Sequence, residues 1–486
     1  MKGKITNKQI FASLFWKVME RGGVQGVGFI VSIVLARILT PEEFGLIALV
    51  TIFLTLANVF VQSGFNTALI QKKNADSLDF STVFYFSAAI AGILYAIILI
   101  FSPLIAGFYD EPLLGPVLKV LSIILFFGAV NSVQIAVISR NMEFKKLFYS
   151  SLGSVIFSGF VGIAMAYNGF GVWALVGQQI SNQLLTTLIM WFTIKWRPKL
   201  QFSIERFKSL FSYGNKILVA SLIDTFYLNL RGLTIGKLFN AEMVGYYNRG
   251  KQFPTVIVSN IDGSIQSVML PTYSAHQDNR KRVKDMVRRS IVTSSFLIFP
   301  LMAGLFIISE PLVKVVLTDK WLPSVPFLQI YCLVYAIRPL QTANIQALKG
   351  LGFSGTFLRL EIVNKGLGVL ILIISVPFGV LAIAWGVLIS SLISMALFAY
   401  PNIKLLGYTL KEQIIDVGPA FLISLIMTIG ISSIYLLNFE PITLMMVQII
   451  LGILVYFSLA RVFKLEAFNY LIRMLKSFKM KDGANN

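Results

Sequence analysis

Seven cations stand inside apolar runs of this chain, and a charge placed there needs a reason. Lys17 and Arg21 fall in the first run, Lys119 in the fourth, Lys216 and Arg231 in the seventh, Arg338 in the tenth and Lys365 in the eleventh; Lys119 and Lys216 are near span ends, where they are set to snorkel. Three carboxylates accompany them, Glu20, Asp224 and Asp262. Ionisable groups in hydrocarbon are costly, so they pair with one another or face a polar cavity, where they mark substrate paths and proton relays. Lys17 and Arg21 are one helical turn apart with Glu20 beside them, a cluster that either binds an anionic group, partly neutralises itself or snorkels to the interface. Arg231 follows Asp224 by two turns, which makes an internal ion pair the rival reading, and Lys365 follows Glu361 at the favoured i,i+4 spacing. Arg338 precedes Pro339; a proline inside a span kinks the helix and frees a carbonyl, as transporter helices do around their cavities. Burial that raised the pKa of Glu20, Asp224 or Asp262 would let them carry coupling protons.

The elements that must hold these groups are membrane helices. Hydrophobic residues make up 56% of the 486 and charged residues only 13%, more apolar than a soluble core requires. Runs of about 20 apolar residues, enough to cross roughly 30 Å of hydrocarbon, recur along the whole chain. Their approximate spans are 13–35, 44–64, 80–104, 113–139, 148–168, 172–194, 214–236, 253–275, 290–309, 325–348, 358–376, 380–400, 416–437 and 442–460. The ten-residue dyads of a membrane barrel are absent, so the expected fold is an all-α polytopic membrane protein with about fourteen transmembrane helices.

Lys and Arg crowd one set of alternate loops together with both termini: Lys2, Lys4, Lys8, Lys72, Lys73, Lys145, Lys146, Lys195, Lys199, Arg206, the stretch from Arg280 to Arg289, and the tail from Lys476 to Lys481. Positive loops stay in the cytoplasm, so both termini are expected there, in keeping with an even number of spans. The net charge of +20 then reads as topology, and the Arg280–Arg289 stretch as a solvated loop with no nucleic-acid role. No cleaved signal is expected, because Lys17, Glu20 and Arg21 interrupt the first apolar run. The single cysteine, Cys332, and single histidine, His276, leave no disulfide framework and no Cys/His metal cluster. Trp16, Trp173, Trp191, Trp196 and Trp321 lie near span ends, as an interfacial belt would have them.

The chain also repeats itself. Arg37, Glu42 and Gly45 recur as Lys237, Glu242 and Gly245, an offset of 200 residues, each set following the first span of a half. Gly171-Val172-Trp173-Ala174 has an echo in Gly379-Val380-Leu381-Ala382, and Arg140 one in Lys349. The order implies an N-terminal six-helix bundle over 1–200, a second over 201–410, two further transmembrane helices over 411–463 and a basic cytoplasmic tail over 464–486. Two parallel repeats of this kind suit alternating access around a central cavity.

Ala36-Arg37-Ile38-Leu39-Thr40-Pro41-Glu42-Glu43-Phe44-Gly45, the Ser139-Arg140-Asn141-Met142-Glu143-Phe144-Lys145 loop, the Gly169–Gln178 segment and Gly245-Tyr246-Tyr247-Asn248-Arg249 resemble the Wzx-type polysaccharide flippases. The likeness covers nearly the whole chain and is strongest to the colanic acid and teichuronic acid branch. That family belongs to the superfamily holding the MATE exporters and the lipid II flippase MurJ. The resemblance implies movement of an undecaprenyl-pyrophosphate-linked oligosaccharide from the inner to the outer leaflet of the bacterial cytoplasmic membrane. The cargo is then anionic, which gives the cations a role, since arginine offers pyrophosphate a planar two-pronged donor and lysine a point charge. Arg21, Arg231 and Arg338 lead the candidates, with Lys17 and Lys365 behind. Gln25, Asn58, Gln62, Asn131, Gln134, Gln178, Gln179, Asn182, Asn229, Asn344 and Gln346 are set either to bind sugar hydroxyls or to join helices. No cofactor is implied beyond coupling to a proton or sodium gradient; the partners implied are the lipid-linked oligosaccharide, membrane lipids and a polysaccharide polymerase with its export machinery. The rivals are a MATE-like exporter of organic cations, which calls for more buried carboxylates, and a membrane polymerase or ligase, which calls for a large outward loop bearing catalytic residues.

Overall fold

The computed structural model describes residues 7–62, 64–437 and 439–473, and side chains from residue 12 onward apart from residue 14. Lys2, Lys4 and the Lys476–Lys481 tail lie outside the described residues, as does the side chain of Lys8. Among the described residues the chain is helical throughout, with no strand. The helices are α1 (Asn7–Ile38), α2 (Pro41–Gln62), α3 (Phe65–Gln71), α4 (Ser77–Tyr109), α5 (Leu114–Leu121), α6 (Ile124–Asn141), α7 (Phe144–Tyr167), α8 (Val172–Thr193) and α9 (Ile204–Leu238). There follow α10 (Ala241–Ser274), α11 (Arg280–Ile307), α12 (Ser309–Val316), α13 (Val325–Ala336), α14 (Arg338–Gly350), α15 (Ser354–Ser375), α16 (Val380–Leu406), α17 (Leu410–Ser432) and α18 (Pro441–Val462).

Every expected span coincides with one of these helices or with a broken pair. Nine helical stretches among the described residues are long and apolar enough to cross a membrane. The five expected spans outside that set are the polar ones: α8 with Gln178, Gln179 and Asn182, α9 with Asp224 and Arg231, α10 with Asp262, the α13–α14 pair with Arg338, and α15 with Glu361 and Lys365. Arg231, Arg338, Lys365, Asp224 and Asp262 thus sit where the apolar signal is weakest, whereas Lys17, Glu20 and Arg21 lie in a stretch that passes as a span.

Capping explains where the helices exceed their hydrophobic cores. Ser203 accepts from the Arg206 N–H, so α9 begins ahead of its apolar run. Asp76 and Asp79 form a capping box at α4, Thr409 and Glu412 another at α17. Asn279 caps α11, and this corrects one expectation: the Arg280–Arg289 stretch is not a solvated loop but the opening turns of a helix. Two of its cations are paired, Lys284 with Glu412 at 3.2 Å and Arg288 with both Asp416 at 3.0 Å and Glu466 at 2.8 Å.

By packing, the chain divides into two units, Met1–Gly245 and Tyr246–Asn486. In the first, α7 packs on α1 and α8, and α2 on α6 and α9. In the second, α11 packs on α13, α14 and α17, α15 on α16, and α17 on α18. Buried amides join the second unit's helices: Asn344 of α14 donates to Gln413 of α17 at 2.8 Å, and Asn402 of α16 donates to Asn344 Oδ1 at 2.8 Å. For Asn344 the helix-joining reading therefore holds, as it does for Asn182, which donates to Ser158 across α7 and α8 at 3.1 Å. Such bonds in a bilayer contribute about 0.6 kcal/mol each.

The two copies of the sequence repeat touch one another inside the first unit. A Cβ built on Gly45 would overlap the carbonyl of Ala241, and one built on Gly245 the carbonyl of Pro41. Because Pro41 and Gly45 correspond to Ala241 and Gly245 at the same offset, this close crossing of α2 and the start of α10 is reciprocal. Glycine is required on both sides because any side chain would strike backbone. Gly45→Ala and Gly245→Ala are each expected to destabilise the folded protein by about 1–3 kcal/mol, read as a lower thermal midpoint in detergent. Gly22→Ala, where a Cβ meets nothing within 4 Å, leaves the midpoint unchanged.

Candidate functional site

The second unit gathers four polar side chains around a break in its helices. Pro339 ends the continuity of the span as expected: α13 stops at Ala336 and α14 restarts at Arg338, with Ile337 between. The break presents Arg338 at the first residue of α14, where its Nε lies 3.4 Å from Oδ2 of Asp262 on α10. Gln266, one turn beyond Asp262, donates to the same oxygen at 2.8 Å, and Gln346 donates to Gln266 at 3.1 Å. The pair is lopsided. The Asp262 side chain is 9% exposed and that of Arg338 49%. Asp262 offsets the cost of holding a cation here, while the two terminal nitrogens of Arg338 have no partner among the described residues. That arrangement leaves a guanidinium fork available to an anion. Lys365 instead lies 3.6 Å from Glu361 on its own helix, the local pair that its spacing predicts.

In the first unit, Lys17 meets Glu20 at 2.9 Å and lies over the Phe144 ring at 5.6 Å. Glu20 thereby neutralises Lys17, and Arg21 beside them is exposed. Arg231 is half-buried on α9 with its guanidinium 5.6 Å from the Tyr227 ring, and Asp224, two turns earlier, is exposed. The structure thus joins Lys17 to Glu20, Arg338 to Asp262 and Lys365 to Glu361.

Two features escape a reading by spans. Arg249 is 3% exposed, donates to Gln252 at 2.7 Å and stacks 4.9 Å from the Trp321 ring. Trp321 is buried at 0% exposure, with Tyr246 edge-on against it. The Tyr246-Tyr247-Asn248-Arg249 run was the available signal. An apolar cavity of about 330 Å³ also lies among α11, α17 and α18, lined by Phe296, Pro300, Gly304, Met427, Gly452 and Tyr456.

A further cluster borders the Gly45–Gly245 crossing. Asp110, held in the left-handed region at φ 57°, pairs with Lys237 at 3.3 Å, and Lys237 lies 4.8 Å from the Phe108 ring. Next to it, burial pushes the Glu111 carboxyl above its ordinary pKa of 4.5; the Ala241 N–H at the start of α10 opposes that shift and Glu42 adds to it. At the other end of the first unit, Arg140 donates to the carbonyls of Leu69 and Lys72, each at 2.6 Å, closing the C-terminal end of α3.

A sequence model of the family described as "Polysaccharide biosynthesis protein" matches residues 34–326. The succinoglycan biosynthesis transport protein ExoT of Rhizobium meliloti is 22% identical over 72% of this chain and 71% of its own. The teichuronic acid biosynthesis protein TuaB of Bacillus subtilis is 24% identical over 69% and 70%, and the lipopolysaccharide biosynthesis protein WzxC of Escherichia coli 22% over 84% of each. Among solved structures, the lipid II flippase MurJ in an inward closed conformation superposes with a TM-score of 0.77 at 17% identity, covering 94% of this chain and 100% of that one. An inward-facing multidrug-resistance MATE transporter gives a TM-score of 0.59 at 14% identity, over 78% and 94%. The fold is therefore that of MurJ and the MATE transporters, in a multi-pass membrane protein.

The raised pKa of Glu111 fixes the sign of a pH effect. The folded state binds the Glu111 proton more tightly than the unfolded state, so its contribution to stability is present in acid and is lost as pH rises from about 4.5 through the raised value. Glu111→Gln is expected to remove that slope and to raise the thermal midpoint at neutral pH relative to wild type. A midpoint unchanged at neutral pH would show that Glu111 ionises freely.

Proposed function

This chain belongs to the polysaccharide biosynthesis protein family, and on that footing we propose that it is a transporter, not an enzyme. It moves an undecaprenyl-pyrophosphate-linked oligosaccharide from the inner to the outer leaflet of the bacterial cytoplasmic membrane by alternating access. The observation that carries this reading is the half-exposed Arg338 fork at a helix break, partly neutralised by Asp262 and open towards a further anion. Arg21 and Arg231 supply cations in the first unit. Pyrophosphate suits such donors, and keeping it on protein groups avoids moving bare charge through hydrocarbon.

The apolar cavity of α11, α17 and α18 supports a second part of the same reading: it offers the polyprenyl tail a surface while the head group crosses on polar residues. Asp262, Glu20 and Asp224 are the carboxylates through which a proton or sodium gradient would couple, and Asp262 is the most buried of them. The basic residues around Lys72, Lys195 and Arg280 support a topology with both termini cytoplasmic, since positive loops are retained on that side. A polysaccharide polymerase and export machinery would take the product onward from the outer leaflet.

The test is a leaflet assay in inverted vesicles with a fluorescent undecaprenyl-pyrophosphate glycan. Removing charge-assisted hydrogen bonds costs about 1.5–3 kcal/mol, so Arg338→Ala, Arg231→Ala and Arg21→Ala are expected to slow translocation about tenfold or more while inserting normally. Gly304→Phe, placed where a Cβ meets nothing within 4 Å, fills the apolar cavity and slows the same step without unfolding the protein. Wild type that exports a cationic dye and leaves the lipid where it was would replace this reading with a MATE-like exporter. A rate independent of pH and of the proton and sodium gradients would remove the coupling role of the carboxylates.

A further inference from the structure

A second cavity, of about 440 Å³, opens where the start of α11 meets the helical segment 466–473 that follows α18. Its lining is Arg289, Val292, Thr293, Glu466, Ala467, Tyr470 and Arg473. The segment is held in place by its apolar side: Ala467 is buried in a cluster with Phe296, Ile423 and Tyr456, and Leu465, Phe468 and Leu471 pack against the same cluster. Its polar side is left to face the cavity.

The charges of this cavity are sorted in a particular way. Glu466 is already committed, because the Arg288 guanidinium donates to both its oxygens, at 3.1 and 2.8 Å, and holds its carboxyl below the usual range. Arg288 also takes up Asp416 at 3.0 Å. Arg289, the next residue, is exposed and lies 5.1 Å from the Tyr470 ring. Arg473 is exposed too, and its one bond, from Nε to the Asn469 carbonyl at 3.3 Å, leaves the terminal nitrogens free among the described residues. Neither of these two arginines makes a hydrogen-bonded ion pair with a carboxylate among the described residues, although the Arg289 charge, like that of Arg288, helps hold the Glu466 carboxyl low. Three guanidinium groups, Arg288, Arg289 and Arg473, therefore face two carboxylates, Asp416 and Glu466, and the surplus cation belongs to the cavity. Thr293 and Tyr470 add hydroxyls.

Depth matters as much as charge. Arg289 lies nine residues into α11, about 14 Å along the axis at 1.5 Å per residue, and the apolar run of that helix opens two residues later at Ile291. That is the level of lipid headgroups, where basic pockets beside membrane helices bind phosphate. We propose that this cavity is a binding site for a phosphate group at the membrane surface, with Arg289 and Arg473 as the paired donors and Thr293 and Tyr470 as supporting hydroxyls. It is separate from the Arg338–Asp262 pair and does not rest on the transport reading. The same phosphate chemistry is offered by an anionic phospholipid headgroup and by a soluble phosphate, and the experiment distinguishes them.

The full-length protein in neutral detergent is titrated with short-chain phosphatidylglycerol, and separately with inorganic pyrophosphate. Saturable binding of at least one probe is expected, weakened about tenfold or more in the Arg289→Gln/Arg473→Gln double variant. Arg282→Gln, which removes an equal charge from the same turns of α11 without touching the cavity, is expected to bind as wild type does. Binding of phosphatidylglycerol that pyrophosphate does not displace assigns the site to a lipid headgroup; displacement by pyrophosphate assigns it to soluble phosphate. If neither probe saturates, or if Arg282→Gln weakens binding as much as the double variant, the basic surface is diffuse and the site does not exist. Thermal midpoints monitor folding, and should the double variant unfold, Arg473→Gln alone, at an exposed position, carries the comparison.

Discussion

A cation in hydrocarbon has to be paired, stacked or kept near water, and the arrangement of this protein follows from how each one meets that demand. Lys365 meets it locally through Glu361 and Lys17 through Glu20, both within one turn of their own helix. Arg249 meets it by stacking on Trp321 and bonding Gln252. Arg338 meets it across two helices through Asp262, and does so incompletely, since a single 3.4 Å contact to one nitrogen leaves the rest of the fork uncommitted. Incomplete neutralisation separates a site from a structural pair, because a fully satisfied guanidinium has nothing left to offer a substrate.

The helices are shaped by the same demand on polar groups. A bilayer tolerates interrupted helices only where the freed backbone is buried in protein or wet. The chain has such breaks at Ile337, between α13 and α14, and at Ser122–Ile123, between α5 and α6. The first exposes an arginine. Elsewhere the polar side chains tie helices together, as in the amide group of Asn344, Asn402 and Gln413, whose members have no exposure at all. Residues of the same type thus serve packing when enclosed and remain available when they stand at a break.

The α2–α10 crossing shows how a repeat becomes a contact. Gly45 and Gly245 are not merely equivalent by descent of a motif; each removes the side chain that would strike the other copy's first helical turn. Lys237, Asp110 and Glu111 crowd the same place, so a packing requirement and a titrating carboxylate share one locus.

Much of this was legible in the sequence. Apolar runs of membrane-spanning length, their loops and the basic bias announced a polytopic helical protein, because the bilayer demands length and hydrophobicity that composition records directly. Pro339 announced the break at Arg338, since a missing N–H is a local fact, and the Glu361–Lys365 pair was written in its spacing. The 200-residue repeat was also visible, as three residue types in order. Only the tertiary structure showed that Arg338 answers to Asp262, 76 positions away, that the two repeat glycines meet one another, that Trp321 is buried against Arg249, and that Arg280–Arg289 is helical and partly paired with Glu412, Asp416 and Glu466. Hydropathy is a property of a segment and can be summed along the chain. Pairing is a property of two distant segments, and the sequence carries no term for their distance until the helices have packed.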